Sequence, residues 1–294
     1  MRVFATVVFV VSFVLNATVV ADEKKVRITE LRGSLHLLQG KGGNVVASVG
    51  ADGILLVDDD YEPLAGDYQQ ALNTLSGATD TPSYVLNTHW HADHTGTNTH
   101  WAQSGAVIVA QTNVRQRMSR PSKSPVTGKN RPARPISALP VISYANSMSL
   151  YFNADDVELE HFPSGHTDGD SVVFFSAQNV VHMGDLFFNG AFPFVDTSSG
   201  GSLDGYILNV ERALQRVDGD TLVVPGHGPL ANKSDLERYL AMIRATQNEV
   251  LKAISSGKSA QEILKQGLSP QWESWGTGFI KEHQWIATLL AANS

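Results

Sequence analysis

The sequence has no cysteine among its 294 residues. That absence excludes disulfides, CxxC redox chemistry, iron–sulfur clusters and zinc sites built from thiolates. A metal site in this chain must therefore use histidine, aspartate or glutamate. Basic residues are also the minority, with 22 Lys and Arg against 29 Asp and Glu, which gives a formal net charge of −7. Because this balance opposes extensive contact with nucleic acid phosphates, we expect no nucleic acid partner.

The apolar run near the N-terminus is too short to cross a bilayer. Val3–Leu15 is mostly apolar, follows Met1 and Arg2, and precedes the small residues at Val19–Ala21. A transmembrane helix needs about 20 apolar residues, whereas a basic start, a short apolar middle and a small-residue end are typical of a secretory signal. We predict a signal peptide over residues 1–21, export to the periplasm or beyond, and no stable membrane anchor. An uncleaved anchor is the alternative.

The remaining chain, residues 22–294, has the length and composition of one folded domain, since 42% of the whole sequence is hydrophobic and 17% charged. Helical spacing of apolar residues predicts helices at Leu64–Leu75 and Ser202–Val217, and Ser234 with Glu237 predicts a capping box for a later helix. The predicted strands are Val26–Leu31, Leu35–Gln39, Asn44–Val49, Ile54–Asp58, Ser83–Asn87, Ala106–Ala110, Val157–His161, Ser171–Phe175, Val180–Met183 and Thr221–Val224. This alternation predicts an α/β fold with sheets between helix layers.

Acidic residues are missing from the stretch Thr95–Ala154. Its central part, the basic segment Arg115–Pro140, carries seven Lys and Arg residues and five of the twelve prolines. Proline excludes a regular helix or a central strand from the part that contains it. Two interpretations stay open: a solvated surface loop, and a positively charged flap beside the active site.

A histidine-rich loop, Thr88–His94, follows the fifth predicted strand and has the pattern H-x-H-x-D-H. In extended chain, His89 and His91 point to the same side. A carboxylate and a third imidazole, Asp93 and His94, come directly after them. Such a concentration of ligand-type side chains indicates a metal site rather than unconnected surface histidines.

Three further residues share one setting, a loop next to a strand with an adjacent glycine. They are His166 in Ser164–Gly169, Asp185 in Met183–Leu186 and His227 in Pro225–Gly228. Glycine lets the backbone approach a ligand closely. The full set comprises five histidines and two aspartates, which is the number of ligands that a two-metal hydrolytic site needs.

In this order, the seven residues resemble the ligand set of the metallo-β-lactamase superfamily, and the similarity spans about Val26–Leu230. The resemblance implies a four-layer αβ/βα sandwich with the metals at one edge of its two sheets. It assigns the first metal to His89, His91 and His166. It assigns the second metal to Asp93, His94 and His227, and it implies that Asp185 bridges the two.

Shells rich in imidazole favour zinc, with iron and manganese as competitors, so we expect two Zn²⁺ ions. Flavodiiron relatives usually carry Glu at the position of His91, so the histidine favours a hydrolase over a redox enzyme. The resemblance implies a metal-bound hydroxide that attacks a carbonyl carbon of a small-molecule substrate, with Asp93 as the catalytic residue that orients it.

The substrate stays open between several hypotheses. The first is β-lactamase-like cleavage of an amide, lactam or lactone, which suits an exported enzyme. The alternative is a thioesterase or ester hydrolase of glyoxalase II type, because one lactamase group carries a cysteine ligand and another has Ser at position 185. A non-catalytic metal-binding protein is the third, although it would be expected to have lost ligands. The oligomeric state does not follow from the sequence.

Several side chains near the predicted site have open roles. The aromatic residues after Asp185 line an apolar mouth or belong to the core; they are Phe187, Phe188, Phe192 and Phe194. Tyr206 is a candidate contact for the substrate oxygen. Asp168 and Asp170 are candidate hydrogen-bond partners of the metal-bound imidazoles, or solvated loop acids.

Overall fold

A computed structural model describes residues 25–78, 80–123 and 128–293, so the predicted signal peptide at 1–21 lies outside the described residues. The strands are β1 (Arg27–Glu30), β2 (Leu35–Gln39), β3 (Asn44–Gly50), β4 (Gly53–Val57), β5 (Tyr84–Asn87), β6 (Val107–Gln111), β7 (Ser122–Lys123), β8 (Asn130–Arg131), β9 (Ile142–Tyr144), β10 (Ser147–Phe152), β11 (Asp155–His161), β12 (Ser171–Phe175), β13 (Val180–His182) and β14 (Leu222–Val224). The helices are α1 (Ala65–Ser76), α2 (Ala92–Thr95), α3 (Asn98–Gln103), α4 (Thr112–Met118), α5 (Leu203–Leu214), α6 (Lys233–Ser255), α7 (Ala260–Gln266) and α8 (Glu282–Ala291). Within these ranges, no helix is long and apolar enough to cross a membrane.

The first sheet has seven strands in the order β1-β2-β3-β4-β5-β6-β9. Its first four strands form the predicted antiparallel meander, and the others add in parallel. Short turns are sufficient for antiparallel neighbours, whereas parallel neighbours need longer crossovers, which here contain helices such as α1. The edge strand β9 was not predicted, because it has only three residues and two of them are exposed.

The second sheet has five strands in the order β10-β11-β12-β13-β14. All pairs are antiparallel except β13 with β14, which α5 connects. Apolar side chains from the inner faces of both sheets form a common core that includes Leu37, Val46, Val157 and Val173. Because successive strand residues point to opposite faces, the neighbouring Val45 packs outward instead.

Helices cover the outer faces of both sheets. On the first sheet, Tyr68 and Leu72 of α1 pack with Trp101 of α3. On the second sheet, buried residues of α5, α6 and α8 form the largest core cluster, which includes Tyr239 and Trp285. The order helix, sheet, sheet, helix confirms the predicted four-layer αβ/βα sandwich.

The capping box predicted at Ser234 and Glu237 is wrong. Helix α6 begins at Lys233, because Asn232 accepts a hydrogen bond from the backbone N–H of Asp235 at 3.1 Å. The carboxylate of Asp235 accepts the N–H of Asn232 in return, at 3.2 Å. Asparagine caps helices as well as serine does, and this reciprocal pair starts the helix two residues earlier.

In its described residues, 115–123 and 128–140, the basic segment has little regular structure, as its prolines predict. Helix α4 ends at Met118, before the first of these prolines, and the two-residue strands β7 and β8 pair in antiparallel fashion. The guanidinium of Arg131 lies 6.0 Å from the ring centre of Trp90, in the histidine-rich loop. The segment therefore packs beside the edge of the sandwich where the predicted ligands lie.

Candidate metal centre

Four of the predicted ligands form a buried cluster, which consists of His89, His91, His166 and Asp185. One ligand atom from each lies within 4.8 Å of all the others. His166 Nε2 is 2.8 Å from His91 Nδ1 and 3.4 Å from Asp185 Oδ2, and His89 Nε2 is 3.7 Å from the same oxygen. These atoms converge on one point, as the assignment of a first metal requires.

The other three predicted ligands form an open cluster, which consists of Asp93, His94 and His227. His227 Nε2 lies 3.2 Å from His94 Nε2 and 3.3 Å from Asp93 Oδ2. Asp185 Oδ1 is 3.1 Å from His94 Nε2 and 3.4 Å from His227 Nε2. Asp185 therefore turns one oxygen to each cluster, and the fold brings all seven predicted residues together.

The local chain path explains why neighbours in sequence serve different clusters. His91 has φ −68° and ψ 154°, so the loop is extended up to the start of α2 at Ala92. Extended chain places His89 and His91 on one side and sends Trp90 the other way, into a small core with Val114. The helical turn that follows changes the direction of the next side chains and carries Asp93 to the open cluster.

The other three predicted ligands also sit at the ends of strands. His166 lies in the loop between β11 and β12, Asp185 in a 3-10 turn after β13, and His227 in the loop after β14. Parallel neighbours such as β13 and β14 end at the same edge of a sheet, so their loops meet there. The site thus lies at one edge of both sheets.

Most of the imidazoles are held through the ring nitrogen that faces away from the clusters. His94 Nδ1 is 2.7 Å from Asp58 Oδ2, and His91 Nε2 is 3.0 Å from Asp196 Oδ2. His166 Nδ1 lies 2.6 Å from the carbonyl oxygen of Phe194. Partners of this kind fix the orientation and the tautomer of metal-binding histidines.

Neither of the two candidate partners, Asp168 and Asp170, holds one of these rings among the described residues. Asp168 instead forms a two-pronged ion pair with Arg117, at 2.6 Å for each hydrogen bond. Asp170 accepts hydrogen bonds from the backbone and hydroxyl of Thr167 and so closes its own loop. Asp58 could have been found from its place directly after β4, at the same sheet edge as the histidine-rich loop. Asp196 carries no comparable signal.

Burial and mutual charge set the protonation of the centre. Burial lowers the pKa of His89 well below its usual value and lowers the pKa of His166 to about 4, so both rings are neutral. Burial opposes ionisation of Asp185, but the surrounding imidazoles, His94 first, hold its pKa well below the usual range. Burial also opposes protonation of His227, yet Asp185 and Asp93 raise its pKa to about 9. Metals bind neutral imidazoles and ionised carboxylates, so a metal ion at this centre would displace the proton from His227.

Two buried atoms at this centre test whether metal ions fit. His89 Nε2 and Asp185 Oδ1 make no hydrogen bond of acceptable geometry within the described residues. An unsatisfied buried polar atom costs about 1–3 kcal/mol, and a cation between the ligand atoms would satisfy both. Five imidazoles with carboxylates, and no thiolate, suit a divalent metal such as zinc. The residues present therefore fit a pair of divalent ions.

Residues 63–227, more than half of the chain, match the sequence profile of the metallo-beta-lactamase superfamily. The chain belongs to this superfamily. Because it belongs to this superfamily and carries the two clusters of His and Asp side chains, the protein is a metal-dependent hydrolase. Enzymes of this family act on small-molecule substrates. A search of curated proteins found no matching sequence.

Several solved structures share the fold at low sequence identity. A metallo-beta-lactamase from Pontibacter korlensis is 18% identical with a TM-score of 0.61, and the match covers 74% of this chain and 99% of that one. The DIM-1 metallo-beta-lactamase is 16% identical with a TM-score of 0.60, over 75% and 98%. A double mutant of the sec-alkyl sulfatase PisA1 is 13% identical with a TM-score of 0.66, over 91% of this chain and 50% of the sulfatase. Identities this low show the fold alone.

The metal centre of this superfamily member opens into a cavity of about 530 Å³. His91, Asp93, Asp185 and His227 lie at its base. Its walls combine aromatic, small and cationic residues, which are Lys41, Gly42, Tyr61, Ala92, Arg131, Phe188, Asn189, Ala191, Phe194, Gly228, Gly278 and Phe279. Arg131 is part of this wall, so at this residue the basic segment does place a positive charge beside the candidate site.

The aromatic residues after Asp185 divide between the two roles left open for them. Phe188 and Phe194 line the cavity, whereas Phe187 and Phe192 are fully buried in the core. Tyr206 does not reach the cavity, because it is buried and its hydroxyl donates to the carbonyl oxygen of Asp185 at 2.7 Å. The candidate contact of Tyr206 with the substrate oxygen is therefore wrong, and this tyrosine supports the backbone of Asp185.

Proposed function

We propose that this protein is an exported dinuclear zinc hydrolase that cleaves the carbonyl bond of an amide, lactam or lactone. The observation that carries the proposal is the pair of clusters of metal-binding side chains, to both of which Asp185 turns an oxygen. Two buried atoms of this pair, His89 Nε2 and Asp185 Oδ1, have no hydrogen-bond partner among the described residues. We further propose that residues 22–294 form one domain, and that residues 1–21 direct its export.

The ligand assignment follows the two clusters. His89, His91, His166 and Asp185 Oδ2 would hold one zinc ion, and Asp93, His94, His227 and Asp185 Oδ1 would hold the other. Bound zinc supplies Lewis acidity and lowers the pKa of a water molecule from 15.7 to about 7. Five imidazoles favour zinc over magnesium or calcium, which prefer oxygen ligands.

The residues of the chain would do the rest of the chemistry. Asp93 is 23% exposed at its side chain and faces the cavity, so its carboxylate can accept a proton from water and deliver it to the leaving group. Asp58 and Asp196 keep His94 and His91 in place while the reaction proceeds. The phenyl ring of Phe188, stacked on His227 at 5.2 Å, excludes bulk water from that side of the centre.

Two cations on the cavity wall favour a substrate that carries a negative charge. Lys41 and Arg131 both line the cavity. A guanidinium forms paired hydrogen bonds with a carboxylate, and an ammonium attracts it as a point charge. A lactam or lactone that carries a carboxylate suits this arrangement.

A thioesterase or ester hydrolase of glyoxalase II type is the second candidate. An aspartate at position 185 resembles the glyoxalase-type thioesterases, which favours this candidate over a lactamase; the acyl-lactone hydrolases, which belong to the first candidate, share the same aspartate. A panel separates the candidates: nitrocefin, an acyl-homoserine lactone, a glutathione thioester and a phosphodiester, each tested on protein with two zinc ions bound. Preferred turnover of nitrocefin or the lactone supports the proposal, preferred turnover of the thioester supports the second candidate, and turnover of the phosphodiester alone contradicts both.

A further inference from the structure

Phe279 is a large apolar side chain that stays 62% exposed at the wall of the cavity. It lies between the 3-10 turn Pro270–Thr277 and α8, beyond residues 63–227, which match the superfamily. An exposed apolar side chain in a concave site costs solubility and contributes nothing to the core, so it is typical of a surface that receives an apolar ligand.

The backbone around Phe279 is firmly packed. Trp275 is only 8% exposed, and its carbonyl oxygen accepts a hydrogen bond from Phe192 N at 3.0 Å. A Cβ atom added at Gly278 would lie 2.7 Å from Ala191 Cβ, so this part of the tail rests directly on the loop after Asp185. The exposure of Phe279 is therefore not the result of a loosely attached tail.

A continuous aromatic wall connects Phe279 with the metal ligands. Its ring centre lies 5.9 Å from that of Phe194, at an interplanar angle of 79°. Phe194 in turn stacks on His91 at 5.9 Å and 24°, and lies 5.5 Å from the ring of His166. Edge-to-face and stacked rings at these distances are favourable arrangements. An apolar group that follows this wall from the mouth ends at the reacting centre.

We propose that Phe279 and Phe194 bind the apolar acyl group of the substrate, and that the C-terminal segment thereby selects substrates with an acyl chain of several carbons. The inference rests on the proposed carbonyl hydrolysis and names its substrate class. Lys41 and Arg131, on the same cavity wall, leave room for an anionic group elsewhere on that substrate. Phe279 is thus assigned as a specificity-determining residue.

The first test is a series of p-nitrophenyl esters with acyl chains from acetyl to octanoyl, which changes only the apolar group. In the wild-type holoenzyme we expect kcat/KM to rise about two- to fourfold for each methylene that becomes buried. In Phe279→Ala we expect about a tenfold loss for the octanoyl ester, carried by KM, and no loss for the acetyl ester. An equal loss across the series would overturn the proposal.

Matched variants separate this role from a general disturbance. Phe279→Leu keeps an apolar side chain and should retain most of the preference for the octanoyl ester. Tyr151→Ala removes another exposed aromatic ring, 78% exposed on β10 and outside the cavity lining, and should change nothing. Zinc content should equal that of the wild type in all three proteins. A Tyr151→Ala loss as large as that of Phe279→Ala would contradict the assignment.

A binding measurement keeps the inference separate from the proposed reaction. Calorimetric titration of the holoenzyme with octanoate and with acetate requires no turnover. We expect octanoate to bind at least tenfold more tightly to the wild type than to Phe279→Ala, and acetate to bind both equally. If neither nitrocefin nor an acyl-homoserine lactone is hydrolysed but this difference in octanoate binding is found, the apolar wall is supported and the proposed reaction fails. Equal binding of octanoate by both proteins would overturn the inference.

Discussion

The two clusters of the metal centre differ in their contact with solvent. The histidines of the buried cluster are at most 7% exposed, and His166 is fully enclosed. In the open cluster, the side chains of Asp93 and His227 are 23% and 29% exposed and line the cavity. Both clusters therefore contribute residues to the cavity lining, and the open cluster is the more exposed of the two.

The clusters also differ in how firmly their rings are held. Each histidine of the buried cluster has a partner for its second nitrogen: Thr88 for His89, Asp196 for His91 and the Phe194 carbonyl for His166. In the open cluster, Asp58 holds His94, whereas the ring of His227 stacks on Phe188. Because pre-oriented ligands bind a metal more tightly, we expect the buried cluster to have the higher zinc affinity.

The largest effect is expected from Asp185→Ala, which removes the one residue that the two clusters share. We expect zinc content to fall well below two ions for each chain and kcat/KM to fall by several orders of magnitude. Elemental analysis and nitrocefin or lactone assays measure the two quantities. Asp80→Ala changes an exposed aspartate outside the cavity lining; it is the matched control and should leave both unchanged. Full activity of Asp185→Ala would refute the bridging role.

Next in size are single ligand changes, which should act unequally on the two clusters. His91→Ala should abolish the tight zinc site, whereas His227→Ala should leave one tightly bound zinc ion and weaken the other. Each variant should lose about 10²-fold or more in kcat. The number of zinc ions that each variant retains after dialysis against a chelator compares the two clusters directly. Equal retention by the two variants would contradict the difference between the clusters.

The smallest effects should come from the residues behind the ligands. Asp196→Asn keeps the shape of the side chain but weakens its hold on His91, and should cost about 10–100-fold in zinc affinity at the buried cluster. Asp58→Asn should do the same at the open cluster through His94. Competition with a chromophoric chelator measures both. An Asp196→Asn protein that weakened only the open cluster would reverse the assignment.

The fold was largely predictable because strand and helix patterns are local. The predicted strands Leu35–Gln39 and Ser171–Phe175 coincide with β2 and β12, since alternating or continuous apolar residues between turns specify such strands directly. The strand β9 was missed because two of its three residues are exposed. The strand β10 was missed although Met148, Leu150 and Phe152 alternate with more exposed residues, which is the period-2 pattern of a half-buried strand. Asn232 was missed as a cap because two overlapping capping patterns compete there.

The residues of the two clusters were predictable, whereas the residues that hold them were not. The seven are side chains of metal-binding types beside glycines and strand ends, a signal present in the sequence itself. Asp196 reaches His91 across more than 100 positions, and Phe194 contributes only a backbone carbonyl. Phe279 enters the cavity from the C-terminal segment by tertiary packing. Contacts of this kind depend on the folded arrangement and leave no local pattern.

The most direct test of two unequal sites that share Asp185 is a calorimetric zinc titration of the metal-free, full-length protein. We expect two binding events with a total of two zinc ions for each chain, the tighter event being absent from His91→Ala and present in His227→Ala. A single event that saturates at one zinc ion, or two events that His91→Ala leaves unchanged, would contradict this account of the centre.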